Sequence, residues 1–157
     1  MTYHIDIQNV SKTTLPISNE TIINWAKLTL TTKIEKAELT IRFVDIDEIT
    51  YLNETYRKQN KPTNVLAFSA NLPTVIDLEF DLLGDVIICP AVIEKESIEQ
   101  GKTIESHYAL MIIHGILHLL GFDHIEIEEA LIMQNLETKL LKKLNFPDPY
   151  FEEENEI

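Results

Sequence analysis

Eleven residues late in the chain, His114 to His124, decide how it can fold. They read His-Gly-Ile-Leu-His-Leu-Leu-Gly-Phe-Asp-His and hold three of the five histidines. The stretch from Tyr108 to Leu120 is otherwise apolar, enough for a buried helix and too short to span a bilayer. On such a helix His114 and His118, four apart, stack on one face one turn above the other. Gly121 stands where a helix that must end takes a residue in the left-handed conformation. The chain turns back there, and His124 can approach the pair from the loop. Three neutral imidazoles with an open fourth position are the ligand set of a catalytic zinc, whereas a structural zinc takes four protein ligands. Hydrogen-bonded core histidines would explain a pair at i, i+4, but not three around a turn glycine. Unpaired imidazole nitrogens buried there would cost about 1–3 kcal/mol each.

The spacing His-x-x-x-His-x-x-Gly-x-x-His is that of the metzincin proteases with one change. Their first histidine is followed by the glutamate that takes a proton from the metal's water. Here that position is Gly115, so the metal geometry survives while peptidase chemistry loses its base. Asp123, the only carboxylate inside the motif, has three roles open to it: acceptor for a ligand imidazole, loop cap, or base, in that order. His107 shares the face of His114 but lies about 10.5 Å away along the axis. It cannot reach the same ion; a surface or core hydrogen bond is expected, with a substrate contact as the alternative. Asp85, after Gly84, reads as a turn residue.

The 157 residues fit one metal-hydrolase-like domain, 1–147, followed by an acidic tail, 148–157. Cys89 is the only cysteine, which excludes an internal disulfide and fits a cytoplasmic location; buried strand filler is its expected role. Nothing near Met1 reads as a signal peptide. The net charge of −13 argues against a general nucleic-acid surface, and neither DNA nor a membrane is an expected partner. A local surface remains open: Tyr51–Asn64 carries Arg57, Lys58 and Lys61 against Glu54, net +2. The tail carries Asp148, Glu152, Glu153, Glu154 and Glu156, net −5. A polyanion would approach near Arg57 and avoid the tail, although on charge alone a solvated helix end explains those cations.

Alternation marks strands at 1–10 and 37–44, with shorter ones at 64–69 and 83–89. Helices follow Ser18 to about Leu30 and Asp45 or Asp47 to about Arg57, the latter with Ile49, Leu52 and Tyr56 as its buried stripe. Further helices run from Pro90 to about Gln100 and, capped by Thr103, over Ile104–Leu120. The last, beyond Glu126, buries Ala130, Met133, Leu136, Leu140 and Leu144. Residues 71–81 read as a polar, acidic loop. The order β-α-β-α-β-β-α-α-α predicts an α+β fold, a small mixed sheet of about four strands covered by helices.

The motif His114-Gly115-Ile116-Leu117-His118-Leu119-Leu120-Gly121-Phe122-Asp123-His124 resembles the YbeY family of bacterial rRNA-maturation endoribonucleases. Supporting segments are Leu52-Asn53, Tyr56-Arg57, Pro62-Thr63-Asn64-Val65-Leu66 with Phe68, Leu83-Gly84-Asp85-Val86, and Asp148-Pro149-Tyr150. The glycine at 115 is that family's own residue. The resemblance implies a zincin-like metal helix and one zinc held by His114, His118 and His124. It implies cleavage of single-stranded RNA in 16S rRNA 3′-end maturation and ribosome quality control, with the small ribosomal subunit and assembly factors as partners. It carries over Arg57 as the functional arginine. Two residues depart from the pattern: Ala67 stands where serine is usual and Ser69 where proline is common.

Three neutral ligands leave a zinc its full double charge, which brings the pKa of its water to about 7, so a dedicated strong base is dispensable. Arg57 would neutralise charge developing on the phosphate oxygens, and Lys58 and Lys61 would assist in holding the substrate. Two competing readings remain: a ribosome-assembly or RNA-binding factor whose zinc only staples the loop, and a metal-dependent peptide hydrolase lacking the usual glutamate.

Overall fold

The computed structural model of the protein describes residues 2–70, 82–122 and 125–150. In chain order these form β1 (Thr2–Asn9), α1 (Asn19–Leu30), β2 (Lys36–Phe43), α2 (Ile46–Arg57), β3 (Val65–Ser69), β4 (Leu82–Ile88), α3 (Pro90–Glu99), α4 (Ile104–Leu119) and α5 (Ile127–Lys143). The α+β order and the four-stranded mixed sheet are those expected from the sequence. The sheet runs β1-β2-β4-β3. β1 and β4 both pair parallel with β2, and β3 pairs antiparallel with β4.

The period of two sorts the strands between two cores. Ala37, Leu39, Ile41 and Phe43 of β2, with Val86 and Ile88 of β4, join the larger core beneath α1, α4 and α5. Leu66, Ile87 and Cys89 belong to the smaller core on the opposite face, with Val44 and Ile49. Cys89 is fully buried, just past β4 at the N-cap of α3. Trp25 of α1 packs edge-on against Phe146, ring centroids 6.0 Å apart.

Several local readings change. Asp85 is an exposed residue within β4 rather than a turn residue. The special position is Gly84 before it, at φ +134°, where a Cβ would fall 2.0 Å from the Phe68 carbonyl oxygen. Asp45 occupies the N-cap of α2 without capping it; its carboxylate accepts the Lys12 N–H instead, at 3.1 and 3.3 Å. On α2 the buried residues are Ile49 and Asn53, while Tyr56 is exposed. The side-chain amide of Asn53 donates to the Lys61 carbonyl at 2.9 Å, which fixes the turn after the helix. The loop read at 71–81 lies outside the described residues.

Candidate functional site

Helix α4 runs through the centre of the protein between α1, α3, α5 and the strands β3 and β4. The Thr103 hydroxyl caps it, accepting the Ser106 N–H at 3.2 Å. From Ser106 to Leu120 every side chain is buried except those of His114 and His118, which are half-buried. The two rings lie 4.9 Å apart between centroids with planes at 76°. Facing polar rings at the one opening of an apolar helix are what the i, i+4 spacing implied.

The helix ends as Gly121 requires. At φ +102° this residue donates its N–H to the His118 carbonyl, and Phe122 donates to that of Leu117, both at 3.0 Å. This is the Schellman pattern, which satisfies carbonyls left over at a helix end. The Lys33 ammonium adds a third tie, donating to the Leu120 carbonyl at 2.6 Å and lying 4.9 Å over the Phe122 ring. Asp123 and His124, the next two residues, lie outside the described residues. Among the described residues no three His, Cys, Asp or Glu side chains group around one point. The described part of the triad is therefore the pair His114 and His118.

Gly115 sits where α4 meets the sheet. A Cβ there would lie 2.6 Å from Val86 Cγ1, 3.2 Å from Val86 Cγ2 and 3.3 Å from Val65 Cγ2. The metzincin glutamate is thus excluded by packing as well as absent, because this face of the helix points into the core.

The carboxylate that the sequence did not single out is Glu137 of α5. It is fully buried, and its Oε2 lies 2.5 Å from His114 Nδ1. Its Oε1 accepts the hydroxyl of Tyr150. An ionised carboxylate is acceptor-only, so the ring nitrogen facing it carries the proton. In the neutral ring that arrangement puts the lone pair on Nε2, the tautomer a metal ligand needs. Burial, followed by the bond to Glu137, pushes the Tyr150 phenol well above its ordinary value, so it remains a donor. Tyr150, which the sequence assigns to the acidic tail, thereby reaches the histidine pair through one intervening side chain. Two imidazoles on one helix face, one of them oriented by a buried carboxylate, are a donor set that fits a divalent metal ion.

The pair opens into a cleft of about 220 Å³ lined also by Asn53, Arg57, Thr63, Asn64 and Ala67. Arg57, exposed at the end of α2, shares this cleft with both histidines. Lys58 and Lys61 are exposed nearby but are not among its lining residues. Lys58 instead closes α2 in the left-handed conformation, φ 58°. Ala67 faces the cleft, so the wall there lacks the hydroxyl that serine would supply.

His107 is a core histidine, as expected, with a further task. Its Nε2 lies 2.9 Å from Glu96 Oε1, and the Asn64 amide donates to the same oxygen at 3.0 Å. This relay holds Asn64 at the cleft wall. Burial lowers the His107 pKa, with Glu96 only partly opposing it, so the neutral ring donates from Nε2.

Residues 6–145 match the family model described as endoribonuclease YbeY. The chain belongs to the endoribonuclease YbeY family. Two relatives, the endoribonuclease YbeY proteins of Legionella pneumophila strains Corby and Lens, are each 57% identical over 157 residues, covering 100% of this chain and 99% of theirs. The fold is similar to the solution structure of TM1509 from Thermotoga maritima, with a TM-score of 0.59 and 25% identity, covering 94% of this chain and 99% of that one. Membership carries the enzyme class that the resemblance implied, a nuclease that hydrolyses phosphodiester bonds. Among the described residues no helix is long and apolar enough to cross a membrane.

Proposed function

We propose that the protein is a zinc-dependent endoribonuclease that cuts single-stranded RNA in the cytoplasm, during 16S rRNA 3′-end maturation and ribosome quality control. Its catalytic unit is the domain of residues 1–147, with the small ribosomal subunit and assembly factors as partners. The observation that carries the reading is the bond between Glu137 and His114 Nδ1, beside a cleft that His114 shares with His118 and Arg57.

His114, His118 and His124 are the residues that would hold one zinc. When bound, such an ion supplies an acidified water and an electrophile for a phosphate oxygen. The protein supplies the rest. Glu137 fixes the His114 ring in one tautomer and one orientation. Arg57 binds the non-bridging oxygens with a planar fork of donors and offsets the charge they gain. Asn64, held by Glu96, gives the cleft wall a fixed polar group beside the substrate. Asp123 remains the candidate to hold a second ligand ring, and Lys58 and Lys61 act on the approaching strand from outside the cleft. Peptide hydrolysis is disfavoured because Gly115 leaves no room for a base.

The test is cleavage of single-stranded RNA and of a peptide library by metal-loaded, ribonuclease-free protein. RNA cleavage that is lost on chelation, and lost in the His118→Ala and Arg57→Ala variants, supports the reading. Cleavage that persists undiminished in the double variant is contamination and overturns it. Folded, zinc-loaded protein that binds RNA without cutting it is instead an assembly factor.

A further inference from the structure

We infer that Tyr56 and Phe68 form a stacking platform for an unpaired nucleobase next to the cleavage cleft, which deepens and rests on the reading above. Tyr56 lies inside the stripe spacing of α2, yet it is 65% exposed. Its ring is set against that of half-buried Phe68, centroids 5.1 Å apart and planes at 59°. Phe68 is anchored below by the smaller core, so the exposed ring rests on a fixed support. An exposed aromatic ring with a rigid backing is the feature on which single-stranded nucleic acids stack, and every base has a face to offer.

The position of the pair ties it to the cleft. Tyr56 and Phe68 border a second hollow of about 580 Å³, and Ala67 lines both hollows. Tyr56 also directly precedes Arg57 in the chain. A strand whose phosphate meets Arg57 can therefore lay a neighbouring base on Tyr56.

The charges of this hollow favour a base over a phosphate. Its cation, Arg42, is already engaged by Glu48 at 3.1 Å and by the Gln8 side chain at 3.0 Å. Asp85 on the same wall is exposed and repels a phosphate, but it can accept a hydrogen bond from a base N–H. Bases within a duplex are already stacked on their neighbours and cannot occupy the platform. The platform therefore selects single strands.

The experiment is fluorescence anisotropy with the full chain and a short, labelled, 2′-O-methylated RNA strand. Three probes with the same number of phosphates are compared: the intact strand, the same strand with abasic sites, and a hairpin duplex, whose binding should not respond to Tyr56→Ala. Tyr56→Ala is expected to raise the Kd for the intact strand on the order of tenfold, with Tyr56→Phe or Tyr56→Trp restoring it. The abasic strand should bind wild type as weakly as the intact strand binds Tyr56→Ala, and should not respond to that substitution. Unchanged binding of the intact strand by folded Tyr56→Ala, or equal binding of intact and abasic strands by wild type, overturns the platform alone. Wild-type protein that binds no single strand overturns the nuclease reading and the platform together.

Discussion

Glu137→Gln isolates the contribution of a single charge to the site. Glu137 is buried with a side-chain exposure of 1%. Both its oxygens are engaged, one by His114 and one by Tyr150. Glutamine has the same shape: its oxygen can accept from His114 Nδ1–H while its amide donates to the Tyr150 hydroxyl. Both contacts survive, the one to Tyr150 with its direction reversed, and the charge is lost. A hydrogen bond to a charged group contributes about 1.5–3 kcal/mol and a neutral one about 0.5–1.5, so the imidazole loses about 1–1.5 kcal/mol of support. At about 1.4 kcal/mol per tenfold this corresponds to roughly a 5- to 13-fold loss of metal affinity, at or below the low end of the roughly 10- to 100-fold that follows outright removal of such a partner. Zinc affinity measured by competition with a chromophoric chelator should fall by roughly 5- to 13-fold, and thermal unfolding of the zinc-loaded variant should shift further than that of the metal-free variant. Affinity within twofold of wild type, with only the metal-free stability changed, would refute the argument and leave Glu137 a packing residue.

Other expectations follow from neighbouring contacts. Gly115→Ala gains about 1 kcal/mol of helix propensity but overpacks against Val86 by about 1–3 kcal/mol; urea unfolding should show net destabilisation that Val86→Ala relieves in the double variant. Arg57→Ala should lower kcat on RNA roughly 10²- to 10³-fold without moving the melting temperature, because the side chain is exposed. Lys58→Ala and Lys61→Ala, outside the cleft lining, should alter the salt dependence of binding more than kcat. Because burial holds the folded His107 pKa below its ordinary value of about 6.5, the unfolded chain takes up the proton first as pH falls. The stability contributed by neutral His107 is present above about pH 6.5 and is lost as pH drops toward the lowered folded value. The urea midpoint should follow that course in wild type and flatten in His107→Gln.

What the sequence exposes, and what it hides, follows from local against long-range causes. The ends of α4 were legible because Thr103 and Gly121 act within a few residues of themselves. The strands were legible because one face of each is buried. Glu137 is hidden because a carboxylate reads as surface, so counting apolar residues alone puts the inward stripe of α5 through Leu136. The spacing 130, 133, 137, 140, 144 runs in steps of three and four and passes through Glu137; a charge on that line was the available signal. The same kind of counting puts Tyr56 inward, but Asn53 takes the inward place, where its amide donates to the Lys61 carbonyl. Nothing local to Gly115 announces Val86 and Val65 across the helix–sheet contact. Tyr150 reads as part of the acidic segment around it, and its link to Glu137 depends on how the chain returns after α5.

The central claim is that His114 and His118, completed by His124, grip one ion with a position left for solvent. X-ray absorption at the zinc edge, on protein whose metal content has been measured, tests it most directly. The account predicts one zinc per chain with three imidazole ligands and one light-atom ligand that exchanges with added anions. Protein that binds no zinc, or a zinc closed by a fourth protein side chain, would contradict it.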